Sequence, residues 1–231
     1  MKVRTYRRVV AMCAFIALLG FLVISHASAG TILNTPAPLV SGPGLGFAAV
    51  PAIVTVNPNN DNQSGGGPLD NNIVVPLKRF NSNEPIDIVF SVDASDGVTE
   101  YLVSEFVDNN TGVPWVGYRM LLGFGSGVGF SQVAAPDGLD FDAPTYDAPP
   151  RSLPFSTIAA PIEDTLVFSG GSHASGAQLY RFRLGVSDIT GLLSPDARTF
   201  TLRQIPVPIP EPASVVLVGL AALIVAAARQ R

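Results

Sequence analysis

A hydrolase or a zinc site of the common kinds needs histidine, and this sequence holds two. His26 lies just past an N-terminal apolar run, which leaves His173 as the one histidine of the central region. A Ser/His/Asp arrangement would have to use His173 as its base, yet no Gly-x-Ser-x-Gly elbow supplies a nucleophile, and a histidine-rich zinc site is excluded by count. Its setting, Ser169-Gly170-Gly171-Ser172-His173-Ala174-Ser175-Gly176, reads as a surface loop. No catalytic residue is assigned.

Other groups could do chemistry of a different kind. Asp137, Asp140 and Asp142 bring three carboxylates within six residues, hard oxygen ligands suited to Ca²⁺. The spacing is not that of an EF-hand, and a solvated acidic turn is the simpler reading; no cofactor is assigned. Trp115, Tyr101, Tyr118, Tyr146 and Tyr180 offer flat apolar faces on which a sugar ring could stack, although core packing accounts for most such aromatics. Carboxylates are scattered, so no acid pair for glycoside hydrolysis can be named. Gly123, Gly125, Gly127 and Gly129 alternate, but Phe130 stands where a dinucleotide fingerprint needs its third glycine and no helix follows. Bulges and close strand packing explain that run better.

The elements that would hold these residues are strands. Tyr180, Phe182, Leu184 and Val186 alternate with Arg181, Arg183 and Ser187, and Ile86, Ile88, Phe90 and Val92 alternate with Asp87, Val89, Ser91 and Asp93. Each pattern is that of a half-buried strand. Ile73 to Leu77, Thr165 to Ser169 and Arg198 to Arg203 are shorter candidates. Val98 to Val107 and Trp115 to Phe124 flank Asp108-Asn109-Asn110-Thr111-Gly112, whose turn residues predict a hairpin. Asn57 to Asn72 is polar and glycine-rich and reads as a loop or linker, and Pro136 to Pro154 as a second irregular stretch. The expected body is therefore all-β, an antiparallel β-sandwich, with a barrel as the alternative.

Charge and cysteine usage narrow the function classes. Six of the 14 basic residues lie near the two ends, against one of the 18 acidic residues, Glu211, so the body carries 8 basic and 17 acidic residues and a net charge near −9. That sign disfavours nucleic acid, whose phosphates demand clustered Lys and Arg. The single cysteine, Cys13, lies in the first apolar run, which leaves the body without disulfide or thiol chemistry.

Both ends carry sorting information. Lys2, Arg4, Arg7 and Arg8 precede an apolar run from Val9 to Ile24, followed by Ser25-His26-Ala27-Ser28-Ala29. Small residues Ala27 and Ala29 at positions −3 and −1 fit signal peptidase, so residues 1–29 read as a signal peptide with an apolar helix, cut after Ala29 on export through the Sec machinery; an uncleaved anchor is the alternative. At the other end, residues 206–231 hold the proline strap Pro206-Val207-Pro208-Ile209-Pro210-Glu211-Pro212, an apolar run from Val215 to Ala228 and the basic end Arg229-Gln230-Arg231. A helix from Ala213 to Ala228 would rise roughly 24 Å, a marginal span of the roughly 30 Å hydrocarbon layer. Arg229 and Arg231 would stay in the cytoplasm, leaving the body at residues 30–205 outside.

The Pro210-Glu211-Pro212 triplet, a short apolar helix and a basic end, on a chain with a signal peptide, resemble the PEP-CTERM sorting signal. The resemblance covers about the last 22 residues. It implies a Gram-negative bacterium that makes exopolysaccharide, processing by the membrane enzyme exosortase, a transient stay in the inner membrane, and delivery to the cell surface or biofilm matrix. Asn109 to Tyr118, with Phe168-Ser169-Gly170-Gly171, is similar to the body of other uncharacterised PEP-CTERM proteins, which adds no activity. The expected protein is a non-enzymatic component of surface or matrix; the alternatives are a carbohydrate-binding module for exopolysaccharide and, more remotely, a secreted hydrolase.

Overall fold

A computed structural model of the chain describes residues 28–60, 70–132, 138–142, 149–187 and 198–210. The expected signal peptide up to Ala27, and the tail from Glu211 with the expected apolar helix, Pro212, Arg229 and Arg231, lie outside the described residues, as do Asp137 and Tyr146. Among the described residues no helix is long and apolar enough to cross a membrane.

The described chain is all-β. One sheet has eight strands. Its main path runs β1 (Ser28–Ile32), β6 (Ile86–Asp96), β15 (Thr199–Pro208), β8 (Trp115–Phe124), β13 (Thr165–Gly171), β12 (Phe155–Ile162); β2 (Leu39–Ser41) also pairs with β6, and β9 (Ser131–Gln132) with β8. The second sheet has seven. Its path runs β10 (Leu139–Asp140), β14 (Gly176–Val186), β7 (Thr99–Asn109), β5 (Asn72–Phe80), β3 (Leu45–Ala48); β11 (Arg151–Ser152) pairs with β14, and β4 (Ala52–Val54) with β5. The two sheets share one hydrophobic core in a sandwich-like arrangement.

Period-two alternation decides which residues fill that core. Tyr180, Phe182, Leu184 and Val186 of β14 are buried, as are Ile86, Ile88, Phe90 and Val92 of β6 and Phe200 and Leu202 of β15. Rings from opposite sheets meet across the centre: Tyr118 of β8 lies 4.9 Å from Tyr180 of β14, and Phe80 of β5 lies 5.2 Å from Trp115 of β8. Pairings among the strands are antiparallel with one exception, β5 with β7, which run parallel because the strand between them in sequence, β6, belongs to the other sheet.

The expected hairpin does not form. β7 pairs with β14 and β5 while β8 pairs with β15 and β13, so the turn at residues 110–114 is an arch that carries the chain from one sheet to the other. Asn and Gly favour a tight reversal but cannot dictate that the flanking strands pair. The stretch read as a polar loop is built in at both ends: Asn60, Asp70 and Asn71 are buried, and Asn72 opens β5. The Asn71 amide accepts from the backbone N–H of Val56 and Asn57 and donates to the carbonyls of Asn57 and Glu100 and to Asn60 Oδ1. Within the stretch expected to be irregular, β10 and β11 form, and Leu139 and Phe141 enter the core.

The glycine run is also settled by its surroundings. β8 ends at Phe124, and Gly125 turns the chain at φ +73, where a Cβ would strike the Gly129 carbonyl oxygen. Arg203 holds that turn: it forms two contacts of 2.7 Å with the Asp87 carboxylate, donates to the Gly127 carbonyl and lies 4.0 Å above the Phe130 ring.

Candidate functional site

The chemistry-bearing groups converge in the middle of the sandwich, and a register irregularity puts one of them there. On β5, Ile73 and Val75 face inward, so strict alternation would bring Leu77 in next. The pairing with β7 instead shifts between Val75 and Lys78: Val75 stands opposite Glu105 and Lys78 opposite Val107, three steps on one strand against two on the other. This irregularity reverses the phase, and Lys78 and Phe80 become the buried positions. Glu105 follows Tyr101 and Val103 on the inner face of β7, and Gln204 follows Phe200 and Leu202 on the inner face of β15.

The resulting network spans both sheets. Lys78 Nζ lies 2.8 Å from Glu105 Oε2, and both side chains are fully buried. Gln204 Nε2 donates to the same Oε2 at 3.0 Å, while Tyr118 Oη donates to Gln204 Oε1 at 2.7 Å. Glu105 Oε1 has no hydrogen-bond partner among the described residues. Burial pushes the Lys78 amine below its ordinary 10.5, opposed by the charge and hydrogen bond of Glu105. Burial also raises the Tyr118 phenol well above 10.0, and the Glu105 charge and Tyr180 act in the same direction.

His173 occupies the adjoining part of the core, contrary to its expected place in a surface loop. It is 1% exposed, its backbone bridges that of Trp115, and its ring stands edge-on to the indole at 4.8 Å. Nε2 lies 2.8 Å from the Gly176 carbonyl, which can only accept, so Nε2 carries the proton and Nδ1 accepts from Tyr180 Oη at 3.0 Å. Both ring nitrogens are thereby engaged in holding strand to loop. Burial lowers the His173 pKa from 6.5, with the Gly176 carbonyl and the Asp108 charge opposing.

Of the aromatic residues considered as a sugar platform, the four described are core residues. Trp115, Tyr101, Tyr118 and Tyr180 are each 0% exposed. Of the calcium candidates, Asp140 Oδ1 accepts the backbone N–H of Asp142 at 2.6 Å in a local turn, and among the described residues no group of three or more His, Cys, Asp or Glu is placed to hold a metal. Ala29 lies in β1, its backbone paired with Ser95, and Pro210 follows the end of β15 by two residues.

Outside the core, one surface feature has no counterpart in the sequence reading. On the outward side of β14, Arg181 stands directly opposite Arg151 of β11, and neither pairs with a carboxylate among the described residues. The two arginines, with Ser152, Leu153 and Leu179, line an open depression of about 190 Å³. Like charges directly opposite on paired strands are unfavourable unless an anion lies between them. The next outward residue on β14, Arg183, is buried within 3.9 Å of the carboxylates of Asp70 and Glu100. No known protein family matches the chain, and neither characterised proteins nor solved structures give a match.

Proposed function

We propose that the protein is an exported, non-enzymatic component of the cell surface or extracellular matrix, cut from its leader by signal peptidase and released from its tail by exosortase. One observation carries this reading. Among the described residues, the first strand spans the expected signal cut after Ala29 and the last strand ends at Pro208, two residues before Pro210-Glu211-Pro212. Cleavage after Ala29 would leave Gly30, Thr31 and Ile32 paired with β6, and processing near the proline triplet would spare all of β15. The described core residues, from Ile32 to Leu202, all lie between the two expected cuts. Both nitrogens of the His173 ring are taken up inside the core by the Tyr180 phenol and the Gly176 carbonyl, which favours the structural role over the hydrolase.

Intact-mass spectrometry of the protein recovered from membranes and from culture fluid tests the proposal. The membrane form should lack residues 1–29 and retain the basic end, whereas the released form should lack both. Recovery of the whole chain from the cytosol would refute it.

A second reading, recognition of anionic exopolysaccharide, is favoured by Arg151 and Arg181, which pair with no carboxylate among the described residues, and not by Trp115, Tyr101, Tyr118 and Tyr180, which are buried. Two guanidinium groups across one strand pair suit a carboxylate-bearing sugar.

A further inference from the structure

The centre of the sandwich holds an amine, a carboxamide, a carboxylate and a phenol with no solvent access. Lys78, Glu105, Gln204 and Tyr118 are each 0% exposed. The Lys78 amine and the Gln204 amide nitrogen both contact Glu105 Oε2, so they cannot be farther apart than those two hydrogen bonds laid end to end. The second carboxylate oxygen is buried with no hydrogen-bond partner among the described residues, an expensive arrangement for a group whose only task is to neutralise a lysine.

We propose that Lys78 and Gln204 condense through their side chains into an amide, tying β5 of one sheet to β15 of the other, with Glu105 relaying protons and Tyr118 polarising the carboxamide oxygen. The lysine first passes a proton to Glu105, a transfer that desolvation of the buried ammonium favours. The neutral Nζ then attacks Gln204 Cδ, forming the N–C bond, while the carbonyl electron pair moves to Oε1, already hydrogen-bonded by the Tyr118 hydroxyl. Glu105 returns its proton to the amide nitrogen and takes one from Nζ. The Cδ–Nε2 bond breaks and ammonia leaves, accepting the proton from Glu105 on its way out. The sum is an ammonium side chain and a primary amide giving a secondary amide and one ammonium ion, with Glu105 regenerated as carboxylate and no oxidant or co-reactant required.

The surroundings favour aminolysis over hydrolysis. Phe80, Trp115 and Tyr180 pack around Tyr118, which keeps water from competing with the amine and holds the reacting groups together on a rigid scaffold. The new amide N–H would have the unpartnered Glu105 Oε1 available as acceptor.

Mass spectrometry of the purified full chain and of its proteolytic digest decides the matter. The expected result is a mass one ammonia below that of the polypeptide, together with a branched peptide joining the segments that carry Lys78 and Gln204. In Glu105→Gln the deficit and the branched peptide should both disappear. A wild-type mass without deficit, with the two segments recovered as separate linear peptides, overturns the proposal, and does so even where the variant fails to fold. A deficit of one water, with Lys78 joined to Glu105, equally overturns it.

Discussion

At the scale of single residues, His173 is where physical context most changes meaning. Its tautomer is set by a carbonyl on one side and a phenol on the other, and burial disfavours its protonation in the folded chain. The unfolded chain takes up that proton at pH 6.5, while the folded chain resists until lower pH. The stability this histidine contributes is therefore complete above 6.5 and declines as pH falls below that value. Thermal unfolding followed from pH 7.5 down to about 5 should show a steeper loss for the wild type than for His173→Phe, which has no proton to gain. Equal slopes would mean that His173 is solvated in the folded protein. The sequence shows one histidine among small residues, and that pattern alone cannot distinguish a loop from a buried bridge. The backbone pairing of His173 with Trp115, 58 positions away by their numbering, does so.

At the scale of elements, the arch between β7 and β8 depends on one side chain. Asn109 Nδ2 donates to the carbonyls of Val113, His173 and Ala174, and Oδ1 accepts from the amide and hydroxyl of Thr111. It thus fastens the crossover and the loop carrying His173 at once. Asn109→Ala leaves the His173 carbonyl without this donor inside the core and should cost about 1–3 kcal/mol of stability. Urea unfolding measures it, as a lower midpoint at unchanged m; an unaltered midpoint would remove Asn109 from this role. The positions of the longest strands were legible here, since every strand expected from alternation is present, several with longer bounds, while β1 to β4 and β12 were not among those expected. Strand partners were not. A turn-forming sequence suits a hairpin and an arch equally well, and the choice lies with the residues each strand meets hundreds of atoms away along the chain. The irregularity in β5 belongs to the same class. Lys78 enters the core because β5 and β7 lose register there, and nothing in Val75-Pro76-Leu77-Lys78 announces it except the proline, which cannot donate to a ladder.

At the scale of the whole molecule, net charge and local charge point in opposite directions. A body near −9 should repel a polyanion, so any retention of the protein by acidic polysaccharide must come from a local site. The Arg151–Arg181 pair is the site the structure offers. Affinity electrophoresis through a uronate-bearing polysaccharide should retard the wild type and release it in the double variant Arg151→Ala, Arg181→Ala, with weaker retardation as salt is raised. A neutral polysaccharide should not retard either. Equal mobility of wild type and variant in the acidic gel would leave the matrix role without this contact.

Composition, alternation and the terminal patterns were enough to determine an all-β body with a cysteine-free core and an expectation of export, because these properties are local or additive along the chain. The inward phase of Glu105 and Gln204 was also present in the sequence, two residues beyond Val103 and Leu202 on their strands. Their meeting with Lys78 and Tyr118, the burial of His173 and the facing of two arginines were decided by tertiary structure alone. Each depends on which strands become neighbours, and that is settled by packing two whole sheets against each other, an energy summed over contacts distant in sequence that no local pattern encodes.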